Sequence, residues 1–389
     1  MKLLSRDALL LLWITGFAYS GAAVVTVVFN LYLLRAGISV PLLGAVTGAT
    51  YAAAAIGALP SGWLSDRIGR RDFLLLAGAV GGAAQLAQIL WPRPAVLLPA
   101  AWVGGLATVA LAVVVAPLMA ERTDTGERRQ GLFSLVAATG LIAGVAGNLL
   151  GGWLPGHLGG GLLSAYRGTL LLATGIELLA LPAVLGLPND RRRVQVRLRL
   201  PPALPRLLVP EILIGLGAGL FLPFYNVFLA RHLGASTAAI GVIFSLQALV
   251  AAAFTLLGPR LSRRAGRVRA MVGLQLTSLP LLAVMASARS LPVVAGAGFF
   301  RSGLMNSSGP LENSLEMEAV EPGERALTNA AIGMAYNGAW AVSSWAAGHI
   351  MQQSLTTPYW ITLGLYGCAA IAVHVLLRPL DLAIRARAG

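Results

Sequence analysis

Apolar runs long enough to cross a hydrocarbon layer alternate along the whole chain with short breaks rich in Arg, Gly and Pro. A spanning helix needs roughly 20 residues. Read by run length and breaker residues, the pattern predicts twelve helices over 8–34, 42–64, 73–90, 95–120, 131–155, 168–187, 207–230, 238–257, 270–288, 292–317, 326–352 and 359–377. The first run follows Lys2 and Arg6, as the apolar part of a signal peptide would. It is too long for that role and has no convincing cleavage site, so it is expected to remain as the first helix.

Composition turns this pattern into a fold class. Of 389 residues, 57% are hydrophobic, 46 are Gly and only 11% are charged, whereas an average soluble chain is about 25% charged. The expected class is an all-α integral membrane protein with no room for a soluble domain. One cysteine, Cys368, excludes a disulfide framework and a Cys-based metal cluster. No two of the four histidines have metal-ligand spacing, so neither a metal nor a cofactor is expected.

The formal charge of +14 admits two explanations, a nucleic-acid footprint or a topology signal. With twelve spans, both termini and the even-numbered connections share one side. That side holds 23 of the 29 basic residues; Arg35, Arg93, Arg167, Arg231 and Arg289 lie opposite, and Arg301 lies within a span. The excess is scattered over seven segments and forms no continuous groove. It predicts an inner-membrane, multi-pass chain with cytoplasmic termini and no nucleic-acid partner. The longest polar segment, 188–206, is read as a cytoplasmic linker between six-helix bundles at 1–187 and 207–389.

The halves repeat. Phe29-Asn30-Leu31-Tyr32-Leu33 faces Tyr225-Asn226-Val227-Phe228-Leu229 at an offset of 196. Gly37 and Gly44 face Gly234 and Gly241, Leu64-Ser65 and Gly69-Arg70 face Leu261-Ser262 and Gly266-Arg267, and Gly126-Glu127-Arg128 faces Gly323-Glu324-Arg325, all at 197. Separated anchors keeping one offset indicate a parallel repeat, in which a substrate site is expected between the halves near the midplane.

Between the second and third spans stands Gly62-Trp63-Leu64-Ser65-Asp66-Arg67-Ile68-Gly69-Arg70-Arg71. Positive-inside topology explains its arginines but not the Gly-Asp-Gly spacing. The segment resembles the signature G-x-x-x-D-R-x-G-R-R of the major facilitator superfamily of secondary transporters, with Gly62, Asp66, Arg67, Gly69, Arg70 and Arg71 at the specified positions. The resemblance implies two six-helix bundles working by alternating access, with this loop as a conformational lock. The second copy has Arg263 where the first has Asp66, so only the N-terminal half keeps the acidic element. Span five, with Gly144 among its small residues, is similar to the G-x-x-x-G-P-x-x-G-G pattern of the family's antiporters through Gly147, Gly151 and Gly152. Asn148 stands in for proline, and Ala143 in place of the leading glycine. Generic small-residue packing is the competing reading of this helix. Span four lacks the arginine of standard drug exporters; Ala101 takes its place.

Ionisable groups inside spans are costly and mark candidate sites. Arg301 and Glu312 on span ten are eleven residues apart, near three helical turns, with Met305 and Ser308 on the same face. About 16 Å of helix separates them, too far for pairing. The resemblance places the first helix of each three-helix group along the central cavity. Glu312 is the first choice for a proton-coupling group, and Arg301 and Glu177 are further candidates. A pairing role near the cytoplasmic helix end competes for Glu312, and a structural role for Glu177, His349 and His374. Asn30, Tyr225, Asn226, Arg301, Asn306, Tyr336, Asn337 and Trp340 are candidate cavity residues, with capping or core packing as the plainer account of the amides and aromatics.

The expected function is proton-coupled export of small apolar or amphipathic compounds, multidrug-type efflux, by a carrier active as a monomer in the bilayer. The alternatives are uptake or facilitated transport of a polar solute such as a sugar or organic anion, and a lipid or lysolipid flippase. No nucleophile or metal motif at membrane depth points to an enzyme.

Overall fold

The computed structural model describes residues 5–121, 126–189, 201–255 and 257–388, and every regular element among them is helical. In chain order the helices are α1 Arg6–Arg35, α2 Val40–Ile68, α3 Arg70–Leu90, α4 Pro94–Glu121, α5 Gly126–Trp153, α6 Leu162–Leu178, α7 Leu181–Leu185 and α8 Leu204–Phe221. They continue with α9 Tyr225–His232, α10 Thr237–Thr255, α11 Leu257–Ala265, α12 Arg267–Ser287, α13 Leu291–Ala319, α14 Arg325–Gln353, α15 Thr357–Ala372 and α16 Arg378–Ala388. Four membrane crossings are composite: α6 with α7, α8 with α9, α10 with α11, and α15 with α16. The chain therefore makes twelve crossings. Most of the predicted 188–206 connection, residues 190–200, lies outside the described residues.

Nine helices among the described residues are long and apolar enough to cross a membrane by those criteria alone. Helices α13 and α14 have the length, at 29 residues each, with a more polar content. Several helices outrun their hydropathy. The eighth span, predicted to end at 257, continues through α11 to Ala265, and the last, predicted to end at 377, continues through α16. Apolar length reports where hydrocarbon stops, whereas backbone hydrogen bonding carries a helix on into the interface.

The fold divides into two compact units, Met1–Val194 with Ala235–Ser245, and Gln195–Gly234 with Leu246–Gly389. In the first, α1 packs against α5 and α6, and α4 against α2 and α3. In the second, α8 packs against α14 and α15, and α12 against α13 and α15. Each unit buries an apolar core, around Ile14, Phe73 and Val184 in one and around Met271, Leu315 and Val373 in the other. Large apolar side chains such as Ile142 and Ile371 remain 69% and 64% exposed, which suits a surface that meets lipid.

The repeat is visible in the backbone. Five glycines among the described residues have positive φ, and four of them are two repeat pairs: Gly37 at 87° with Gly234 at 66°, and Gly69 at 100° with Gly266 at 88°. Left-handed backbone strains any side chain, so glycine is needed at these turns. Serine caps repeat as well: Ser39 Oγ accepts from the Leu42 amide at 3.4 Å and Ser236 Oγ from the Ala239 amide at 3.2 Å.

Candidate functional site

The loop between α2 and α3 is built on Gly69. Its amide closes α2 on the Ser65 carbonyl at 3.0 Å while its carbonyl opens α3 by accepting from Phe73 at 2.9 Å. A Cβ on Gly69 would overlap the Asn189 side chain, whose Nδ2 donates to Asp72 at 2.6 Å. Asp72 also takes Arg71 at 3.0 Å. The loop is thus fastened to the end of the first bundle. Arg67 instead lies over the Trp63 ring, 4.4 Å from its centroid, while Arg70 is buried and Gly62 and Asp66 are half-buried.

The equivalent turn in the second unit is held differently. Gly266 again ends a helix on a serine, Ser262, at 2.9 Å. Arg267, the repeat partner of Arg70, bonds Glu318 at 2.8 Å, Asp381 at 3.2 Å and Ser314 at 3.2 Å. These bonds tie α12 to α13 and α16. Glu318 lies just beyond the predicted span 292–317, and the hydrogen bond from Arg267 is the main reason its carboxyl sits below the ordinary range.

On α5 the small residues do different work position by position. A Cβ on Gly147 would overlap the Ser20 carbonyl of α1, and one on Gly151 would come within 3.0 Å of Val24. Gly152 would meet Thr237 O at 2.9 Å and Gly241 Cα at 3.0 Å, and Asn148, buried, offers its carbonyl side to Gly241. Within the same unit Ser245 Oγ donates to Val145 O at 3.1 Å. Gly144, in contrast, has nothing within 4 Å of an added Cβ. In the second unit the close approach falls on α8, where Gly215 and Gly219 abut the backbone of α14 at Tyr336 and Trp340. Ser344 and Thr362 hydroxyls donate to Gly219 O at 3.0 Å and Gly217 O at 2.9 Å. Such bonds fix helices in lipid, where backbone approach gives the packing.

The two charges of α13 have separate surroundings. Glu312 Oε1 accepts from Gln275 Nε2 of α12 at 2.9 Å. Glu316 and Glu211 of α8 are close enough to interact with it through their charges, and among the described residues no basic side chain pairs with any of the three. Sequence reasoning missed Glu211, although it is an acid inside the predicted span 207–230 and the criterion that singled out Glu177 applies to it. Arg301 is buried among aromatics, with Cζ 4.5 Å from the Phe221 ring centroid and 5.4 Å from that of Tyr366.

The remaining candidates disperse. Glu177 of α6 faces α1, where Gly21 leaves it room, and lies within hydrogen-bonding reach of Gln85 of α3; Gln85 Nε2 donates to Thr174 at 3.0 Å. Asn30 is internal to the unbroken α1 and so does not cap that helix, whereas Asn226 follows a break at Leu222–Phe224 and accepts from the Val227 amide at 2.9 Å. Asn306 and Asn337 donate within their own helices, to Ser302 O at 2.9 Å and Gly333 O at 2.8 Å. The Tyr225 hydroxyl points at Gly298, 2.7 Å from where a Cβ would stand, and the Tyr336 and Trp340 rings are 5.5 Å apart. His349 bonds its own helix at Trp345 O, 3.1 Å. Among the described residues no group of three or more His, Cys, Asp or Glu is placed to hold a metal.

Comparison with known proteins bears on the whole chain. The family model for the Major Facilitator Superfamily matches twice, over residues 11–213 and 207–387. A mutant of the nucleoside transporter NupG shares the fold with a TM-score of 0.79 at 14% identity, covering 95% of this chain and 99% of that one. The D-xylose–proton symporter gives 0.75 at 18% identity with coverage of 95% and 97%. A bacterial homologue of the iron transporter ferroportin gives 0.74 at 16% identity with coverage of 96% and 98%. No curated protein sequence matches significantly. Twelve crossings, a repeat written into the turns and a family match over both halves lead to one conclusion: the chain belongs to the Major Facilitator Superfamily, and is a multi-pass membrane protein that carries out secondary transport by alternating access.

Proposed function

We propose that the protein is a proton-coupled exporter of small apolar or amphipathic compounds, resident in the inner membrane with both termini cytoplasmic and active as a monomer. Its working parts are the bundles 1–187 and 207–389 joined by the 188–206 linker, with the Gly62–Arg71 loop as conformational lock. The observation that carries the coupling is Glu312, a carboxylate within the second unit that is hydrogen-bonded to Gln275 and has no basic partner among the described residues. An ionisable group kept inside a membrane bundle marks a proton or ion path. Export is favoured by span five, whose Gly147, Gly151 and Gly152 resemble the antiporter pattern, with Asn148 in place of its proline, and make close helix contacts. Of the solved structures with this fold, one is of a D-xylose–proton symporter, a precedent for proton coupling on this architecture.

The test is transport of an amphipathic dye into inside-out vesicles, with and without an imposed proton gradient. Gradient-driven uptake by the native protein, lost in Glu312→Gln, supports the reading. Indifference to both the gradient and the substitution refutes it. Anionic solutes are the second reading, favoured by the surroundings of Arg301.

A further inference from the structure

We propose that Arg301 is the anchor of an internal anion site in the second unit, and that it seats the carboxylate of an amphipathic organic monoanion. This deepens, and rests on, the reading of the protein as a carrier of amphipathic compounds. Arg301 is 3% exposed and its guanidinium offers N–H donors and no acceptor. Among the described residues it has no carboxylate partner. Its guanidinium instead lies 4.5 Å from the Phe221 ring centroid and 5.4 Å from that of Tyr366, within hydrogen-bonding reach of the Tyr366 hydroxyl. Aromatic faces offset part of the cost of burying a cation, but a ring face gives an N–H no acceptor in the plane of the guanidinium. Arg301 Nε has no hydrogen-bond partner among the described residues.

A second donor is stranded beside it. Tyr359, 1% exposed, packs its ring 5.1 Å from Phe221 and 4.5 Å from Phe228, and its hydroxyl has no hydrogen-bond partner among the described residues. Arg301 and Tyr359 are near enough to interact electrostatically. Two buried donors and one uncompensated positive charge share a cluster whose other walls are Phe221, Phe228 and Tyr366. Unmade buried hydrogen bonds are costly, so the cluster is complementary to an acceptor bearing negative charge. A carboxylate supplies two oxygens to a guanidinium fork, the rings suit an apolar or aromatic body, and an apolar surround penalises a dianion far more than a monoanion.

The experiment uses the full chain, purified into lipid nanodiscs, with 2-naphthoate and its uncharged counterpart 2-naphthamide as calorimetric probes. The expected result is binding of 2-naphthoate about tenfold or more tighter than 2-naphthamide, a preference abolished by Arg301→Gln with 2-naphthamide affinity unchanged. Arg301→Lys keeps the charge without the fork and is expected to retain part of the preference. Should Arg301→Gln fail to fold, as judged by gel filtration and thermal unfolding, Tyr359→Phe removes only a hydroxyl and is expected to weaken 2-naphthoate several-fold while sparing 2-naphthamide. No binding of 2-naphthoate, equal binding of the two probes, or a preference that survives Arg301→Gln (or Tyr359→Phe, where that variant serves) overturns the proposal. Failure of proton coupling leaves these binding ratios unchanged, so the two readings fall separately.

Discussion

Gln275 Nε2 donates to Glu312 Oε1 at 2.9 Å, joining α12 to α13 inside the second unit. The amide can serve either protonation state of the carboxyl, since its NH2 donates and its oxygen accepts. That oxygen is buried and without a hydrogen-bond partner among the described residues. Glu312→Gln is therefore expected to keep the fold, because a second amide can still pair with Gln275. Transport in inside-out vesicles should lose its dependence on the proton gradient while counterflow of unlabelled against labelled substrate persists.

Two glycines of α5 should answer differently to the same change. Gly144→Ala meets open space and should shift stability by less than about 0.5 kcal/mol. Gly147→Ala drives a methyl into the Ser20 carbonyl and should cost about 1–3 kcal/mol. Thermal unfolding of the two variants side by side measures the difference. Equal shifts would mean that α5 does not approach α1 at Gly147.

At the turns, Gly69→Ala and Gly266→Ala both place a Cβ at positive φ, at 100° and 88°. Each should destabilise by about 1 kcal/mol or more. Gly69→Ala should be the worse of the pair, because its Cβ also overlaps Asn189. Unfolding midpoints in a common detergent check the order.

Asp66→Asn tests the lock. The expected outcome is normal insertion and thermal stability with transport reduced about tenfold or more, on the scale of losing a hydrogen-bonded charge. Normal transport by this variant would make the loop a topological signal only.

The Arg267 cluster should respond to acid. Because the Glu318 carboxyl is depressed in the folded protein, its contribution is present above its ordinary value of 4.5 and is lost as pH falls through the lower folded value. Side-chain exposure of 44% limits the effect to below about 1 kcal/mol. The stability difference between the native protein and Glu318→Gln, followed by chemical denaturation from pH 7 to 3, should shrink towards zero. A difference independent of pH would assign it to packing.

Run length and breaker residues determined the class and the number of crossings, because burial in hydrocarbon demands long apolar helices whatever their neighbours are, and residue anchors kept at one offset disclosed the repeat. Glycine spacing located the turns for a similar reason: Gly37, Gly69, Gly234 and Gly266 are dictated by local backbone geometry, which needs no partner. Partnership was what the chain order could not express. The eleven-residue spacing of Arg301 and Glu312 placed both on one face of span ten, yet only packing decided that one lies among Phe221, Tyr359 and Tyr366 while the other meets Gln275 and Glu211. Those neighbours come from three other helices, separated by as many as 138 positions at Tyr359 and Phe221. Side-chain chemistry proposes a site, and only the tertiary structure decides which charges are neutralised, which donors are satisfied and which are left for a ligand.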